Sequence, residues 1–197
     1  SDVLRLVDWT KAQNINFILD ESFVDFADEE NCTLIEQEIV DANSHLYVMK
    51  SISKSYGVPG LRLGVLASGN VDVIAKMKKD VAIWNINSFG EFYMQIAEKY
   101  KKDYAKSLVE IRAQRDYFQK MLAEIPGLRV IPSQANYVMV ELTGRVTAKA
   151  LTRKLLIKYN LFVKDLSSKL GGKQFLRLAV RDKVDNDKLI NALKAEL

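Results

Sequence analysis

The chain has 197 residues and a formal net charge of +4, with 48% of its residues apolar and 27% charged. That composition fits a globular, core-forming protein and excludes a disordered one. A single cysteine, Cys32, and a single histidine, His45, exclude an internal disulfide, a multi-cysteine zinc site, a histidine-based triad and a polyhistidine metal site.

No apolar run approaches the length of a membrane span, and Ser1-Asp2-Val3-Leu4-Arg5 lacks the features of a signal peptide. The longest basic cluster, Lys99 to Lys102 around Tyr100, is accompanied by no base-stacking aromatic pattern and reads as a solvated helix face. A soluble, cytoplasmic protein that binds neither membrane, nucleic acid nor metal is expected.

In chain order, Val3 to Gln13 carries its apolar residues at helical spacing and ends near Asn14. Ile15 to Leu19 reads as a buried strand that runs straight into Asp20-Glu21-Ser22-Phe23. A carboxylate at the carboxyl end of a parallel strand is placed for a ligand, because α/β sheets bind ligands beyond those ends. Asp and Ser are also common turn and helix caps, which is the plainer reading of the same four residues. From Asp25 to Asn31 the chain is acidic without EF-hand spacing, hence a solvated loop. Thr33 to Ala42 can form a short helix.

His45 to Met49 is an apolar run suited to a buried strand, and Leu63 to Ala67 is a second. Between them lies the stretch from Lys50 to Gly64, expected to be a loop. It gathers Ser51, Ser53, Lys54, Gly57, Gly60, Arg62 and Gly64 in a short span. Hydroxyls and a planar guanidinium can hold phosphate oxygens, and glycines let backbone come close. A lysine becomes a nucleophile when its neutral form is accessible, which burial and a nearby cation both promote. Lys54, after an apolar strand and with Arg62 eight residues on, is expected to feel both. The alternative is a polar surface loop with a solvated lysine.

Ser68-Gly69-Asn70 is a turn, and a helix starts at Val71. Ala82 to Ser88 follows, with Trp84 inside it. Gly90 to Ala123 is helical almost throughout, too long for an ordinary globular helix, so it is two helices or one long connector. Pro126-Gly127 ends it. Arg129 to Pro132, Tyr137 to Leu142, Leu161 to Val163 and Phe175 to Val180 read as strands, Thr147 to Lys158 and Asn186 to Leu197 as helices, together a compact α+β unit. Arg177 interrupts the apolar pattern of its strand, a costly position unless the charge is paired, either structurally or by a ligand.

The stretch from Ser51 to Gly64 resembles the S-x-S/T-K-x-x-G-x-x-G-x-R-x-G signature of the class I/II aminotransferases, which are fold-type I pyridoxal-phosphate enzymes. Asp20 to Phe23 is similar to that family's D-E-A/S-Y/F element, Leu176 to Val180 to its L-R-I/L-A/S-V/I strand, and Ser133 to Tyr137 to its S-x-A-N-F/Y segment. Ala82 to Ser88 looks like the segment that lines the cofactor cleft near the subunit boundary. The resemblance implies an α/β fold: part of the large cofactor domain over residues 1–100, with a mainly parallel sheet, and the small α+β domain over 101–197.

It implies pyridoxal 5'-phosphate as cofactor, Lys54 as the catalytic, imine-forming lysine, Asp20 against the pyridine nitrogen, Ser51, Ser53 and Arg62 on the phosphate, Arg177 clamping the substrate carboxylate, and Asn136 at the site's edge. The substrates implied are an amino acid or phosphorylated amine and a 2-oxo acid, and the full enzyme is expected to be a homodimer. Within the family the likeness is strongest to histidinol-phosphate aminotransferase and threonine-phosphate decarboxylase. Two positions depart from the pattern. Phe23 replaces a tyrosine that would reach the cofactor's 3-oxygen, and Lys164 stands where histidinol-phosphate enzymes carry an arginine. The match spans this whole chain but only the C-terminal half of such an enzyme, so the chain alone is expected to bind the cofactor weakly or not at all.

Overall fold

The computed structural model describes residues 2–30 and 32–197. They form two compact units, Ser1–Asp25 with Glu29–Ala105, and Phe26–Asp28 with Lys106–Leu197.

In the first unit, α1 (Asp2–Ala12) turns its Val7 inward, and β1 (Phe17–Asp20), α2 (Gln37–Ala42) and β2 (Leu46–Ser51) follow. A one-turn helix α3 (Ile52–Ser55) leads through a 3-10 turn at Pro59–Leu61 to β3 (Gly64–Ala67). The sheet order is β1-β2-β3. β1 pairs parallel to β2, with Phe17 opposite Leu46 and Asp20 opposite Met49, whereas β3 pairs antiparallel to β2, with Ser51 opposite Gly64. These three strands thus carry one parallel and one antiparallel pairing.

Strand alternation sorts the side chains. Phe17, Leu19, Leu46 and Val48 face Val7 and Leu34 in a small apolar cluster. Ile18 and Met49 lie on the other face with Leu66 of β3 and are exposed, and Val65, opposite Lys50 on the first face, is exposed too. The expectation of buried strands on either side of the lysine stretch thus holds for one face of β2 and fails for β3. Apolar composition identifies a strand, but it cannot say that both faces are covered. The lone His45 is structural, its Nε2 lying 3.0 Å from the carbonyl oxygen of Val7.

Asn70 caps α4 (Val71–Asp80) by accepting from the amide of Val73, and Asn87 caps α5 (Ser88–Ile96) by accepting from that of Gly90. A 3-10 turn at Ala97–Tyr100 then joins α5 to α6 (Lys101–Ala123), so the long helical stretch is two helices. Gly69 is there for space: a Cβ would lie 2.2 Å from the carbonyl oxygen of Val40. Gly69→Ala is expected to destabilise the fold by about 1–3 kcal/mol, read as a lower denaturant midpoint.

The second unit is a four-stranded antiparallel sheet ordered β4-β5-β7-β6, made of β4 (Leu128–Ile131), β5 (Tyr137–Leu142), β6 (Lys164–Asp165) and β7 (Phe175–Ala179). Helices α7 (Ala148–Tyr159), capped by Thr147, and α8 (Lys183–Glu196), capped by Asp182, cover one face together with the end of α6. Phe118, Leu122, Val138, Val140, Leu151, Leu155, Leu176, Leu178 and Leu193 make its core. Leu161 to Val163, read as a strand, carries no ladder. Pairing begins only at Lys164 opposite Arg177, because Asn160 ends α7 in a left-handed conformation and the chain needs those residues to turn back.

Candidate active site

Asp20 ends β1 and Ser51 ends β2. The register and the two-residue alternation put both on the same open face of the sheet. Ser22 joins them: its hydroxyl donates to Asp20 Oδ1 at 2.5 Å, its backbone amide donates to the same oxygen at 2.9 Å, and its Oγ accepts from the amide of Ser51 at 3.2 Å. The Ser22 hydroxyl, then its amide, and more weakly the Lys54 charge hold the Asp20 carboxyl below its ordinary range against a small desolvation push upward. Asp20 is thus a fixed anion at the end of a parallel strand. Its favourable interactions are fully present above the ordinary carboxylate pKa and are lost as pH falls through the depressed folded value. Ser22→Ala is expected to raise the Asp20 pKa, read from a carboxyl carbon NMR titration.

Lys54 sits on α3, the turn that Ile52 to Ser55 makes when β2 ends. Sequence alone leaves this stretch as loop; the turn closes because Tyr56 N donates to Ile52 O, while Ile52 N donates to Leu63 O at 3.1 Å and ties the turn to the start of β3. Lys54 is exposed, with its Nζ 5.8 Å from the centre of the Phe23 ring. The burial expected around it is not found among the described residues. Ser53 is buried at 5% exposure, and its Oγ has no hydrogen-bond partner among the described residues. An orphaned hydroxyl is costly unless some acceptor completes it.

Arg62 holds φ +55°, a left-handed conformation that is strained for a residue carrying a Cβ, and Gly57 holds +66°. Glycine would be cheaper than arginine at such a position, so an arginine there points to a use for its side chain. Its guanidinium donates to Pro59 O at 3.2 Å and is otherwise exposed. Asn87 braces this loop through a 2.8 Å bond from its Nδ2 to Leu61 O. Ile83 and Trp84, just before it, are 91% and 90% exposed.

In the second unit, Arg177 lies on the open face of its sheet rather than in the core, so it bears no burial penalty. The alternation of β7 buries Leu176 and Leu178 and turns Arg177 outward. Its guanidinium sits 5.3 Å from the Tyr137 ring centre, and Lys164 is its cross-strand partner. Like charges directly opposite one another are unfavourable, and an anion between them relieves the repulsion. Asn136 is half-buried, and its carbonyl accepts from Val180 N at 2.9 Å, which fixes it beside β7. The two groups that sequence reading leaves out are Ser22 and Asp25. For Ser22 the signal was present, since an Asp followed two residues later by Ser is a common side-chain-to-backbone turn.

A strand-end carboxylate, a lysine on the turn after the neighbouring strand, and serine and arginine around that turn lie together in one α/β unit. The chain belongs to the aminotransferase class I and II family, whose model matches residues 1–193. It is 32% identical over 195 residues to the CMP-5'-(3-aminopropyl)phosphonate synthase of Streptomyces rubellomurinus, covering 98% of this chain and 31% of that protein. It is 31% identical to the L-serine phosphate decarboxylase of Sulfurospirillum multivorans, covering 91% of this chain and 47% of that one. Its fold matches the crystal structure of the histidinol-phosphate aminotransferase from Clostridium acetobutylicum with a TM-score of 0.88 at 26% identity, over 98% of this chain and 57% of that chain. The chain thus spans about a third to a half of the curated relatives it matches. Pyridoxal phosphate is the family's cofactor. The residues present fit it: the orphaned Ser53 hydroxyl suits a phosphate oxygen, the fixed Asp20 anion suits a protonated ring nitrogen, and the exposed Lys54 amine is open to a carbonyl.

Proposed function

We propose that the chain is the C-terminal part of a pyridoxal-phosphate-dependent enzyme that moves an amino group between an amino acid or phosphorylated amine and a 2-oxo acid. The observation that carries this is the constellation at the ends of β1 and β2, with Asp20 held as an anion by Ser22 and Lys54 open on the following turn. Ser51, Ser53 and Arg62 would hold the cofactor phosphate, Asp20 the pyridine nitrogen, and Lys54 Nζ the aldehyde carbon. The bound cofactor supplies an electron sink for charge that develops at the substrate Cα. Asp20 would keep the ring nitrogen protonated, and the Lys54 amine would accept and return the substrate Cα proton.

Arg177 would take the substrate carboxylate as a two-pronged donor. The cross-strand pair of Lys164 and Arg177 supports a substrate with more than one negative charge, such as a phosphorylated amino acid. Asn136 would line the edge of that pocket. A cytoplasmic homodimer is the assembly that fits this reading.

A second reading, decarboxylation of a phosphorylated or phosphonate amino acid, is favoured by Phe23 in place of tyrosine and by the serine-phosphate decarboxylase among the relatives. The deciding experiment loads the full-length protein with pyridoxal phosphate and screens amino donors while detecting both CO₂ and new amino acid. Amino transfer without CO₂ supports the first reading, and CO₂ release moves the assignment to the second. Neither product, with no visible band from bound cofactor, overturns both in favour of a non-catalytic interaction module.

A further inference from the structure

Lys50 is the other lysine of the stretch, and it points away from the open face that carries Asp20 and Ser51, since it alternates with Ser51 along β2. Its Nζ meets Asp25 Oδ1 at 2.5 Å, and the two side chains are only 15% and 18% exposed. Asp25 has further company. Burial raises its carboxyl pKa, and the hydrogen bonds and charge of Lys50, with the hydroxyls of Ser55 and Tyr104, bring it below the ordinary range. The Tyr104 hydroxyl is pushed well up, by burial first and by the Asp25 charge after it, although the Ser55 hydrogen bond works against this. The Tyr104 ring in turn stacks on Tyr56, with centroids 4.1 Å apart and planes 4° from parallel.

These contacts close around α3. Lys50 stands just before the turn, and Ser55 and Tyr56 stand at its end. At the first end Asp25 holds Lys50 in its ion pair; at the other, Tyr56 stacks on Tyr104, whose hydroxyl and the Asp25 carboxylate act on one another electrostatically. A one-turn helix has too few internal hydrogen bonds to fix itself. Its orientation, and with it the direction in which Lys54 leaves the backbone, must come from outside the turn.

We propose that Asp25 is a positioning residue for the reacting lysine: through its ion pair with Lys50, and through Tyr104 stacked on Tyr56, it holds both ends of the Ile52–Ser55 turn and so aims Lys54. The proposal rests on the reading of Lys54 as the cofactor lysine. It accounts for a buried ion pair placed on the side of the sheet away from the cofactor residues, where no role in binding the cofactor falls to it. Buried pairs contribute little net stability, and they are better understood as devices that fix one arrangement among several.

The test uses the full-length protein, pyridoxal phosphate and borohydride, with peptide mass spectrometry to measure the fraction of Lys54 trapped in folded protein well below its melting temperature. For Asp25→Asn the apparent affinity for pyridoxal phosphate, read from the visible band and from trapped Lys54, is expected to fall by on the order of tenfold or more. Tyr104→Phe, which removes one hydroxyl and keeps the ring stack, is expected to give a smaller fall in the same direction, and it keeps the test open where Asp25→Asn does not fold. A purely structural role for Asp25 would lower the melting temperature and leave the trapping curve unchanged; that result in both folded variants overturns the proposal. Wild-type protein that shows no trapping at Lys54 overturns the cofactor-lysine reading instead, and the two failures are told apart by the wild-type control.

Discussion

Replacing Lys54 with alanine in the full-length protein is expected to abolish borohydride trapping of pyridoxal phosphate on the peptide from Ser51 to Arg62, and to lower turnover by about 10⁴-fold, the upper end of what a positioned proton-transfer group supplies. Two features make the expectation sharp. First, the other lysine of the stretch is not placed to step in. Lys50, four residues earlier, is on the opposite face of β2 and is tied to Asp25 in a 2.5 Å ion pair, and a paired ammonium has no lone pair to offer a carbonyl. Second, the loss should be chemical rather than structural. Lys54 is exposed and its ammonium is in none of the ion pairs found among the described residues, so the change should move stability by no more than about 0.5 kcal/mol. An inactive variant that melts with the wild type and still shows cofactor absorbance without trapping would be the expected outcome. Retained trapping on that peptide would remove Lys54 from the chemistry.

How much of this site was legible in sequence depends on what each residue needs to be recognised. Lys54, Asp20, Ser51, Ser53 and Arg62 stand out in the sequence by residue type and by resemblance to the family's motifs, and a strand-end carboxylate is visible from hydropathy. Their surroundings were not legible in the same way. Whether Val65 and Leu66 are covered is a matter of what packs on the sheet, and an apolar run reads alike in either case. Arg177 looked like a buried charge because its neighbours are apolar, yet strand alternation turns it outward, and period two was there to be read. The turn at Ile52–Ser55 was beyond local propensity, since Ile52 N is held by Leu63 O from eleven residues further along the chain. Long-range convergence of that kind leaves no mark in a window of neighbouring residues.

Arg115 shows the same limit from the other side, and its removal should have the largest effect on stability in the second unit. Ile111, Arg115, Phe118 and Leu122 fall on one stripe of α6 at i, i+4, i+7 and i+11, the spacing of a core-facing helix edge. An arginine on that stripe is therefore a signal in itself, because a charge there must be completed by partners from elsewhere in the fold. The structure supplies them. Arg115 is 1% exposed, and it donates to Phe26 O at 2.6 Å and to Gln134 O at 2.8 Å. It also pairs with Asp28, and Asp28 N donates to Gln134 Oε1 at 3.2 Å. One guanidinium thus fastens the three-residue segment Phe26–Asp28 into the second unit, immediately after Asp25, which belongs to the first.

Arg115→Ala would leave two carbonyls without their donor and a cavity where the side chain had been, a loss of about 3–5 kcal/mol. The Asp28 carboxylate is 58% exposed and water can take over its part, so the carbonyls and the cavity carry the effect. Arg115→Met fills most of the volume without donating, and should recover the cavity share while leaving the carbonyl share. Native-state hydrogen exchange resolves the difference: amides of β5 and α8 should lose protection in both variants, more in alanine than in methionine. If the two variants exchange alike, the hydrogen bonds carry the whole effect and packing of the stem none. If neither differs from wild type, Arg115 does not anchor the segment at all.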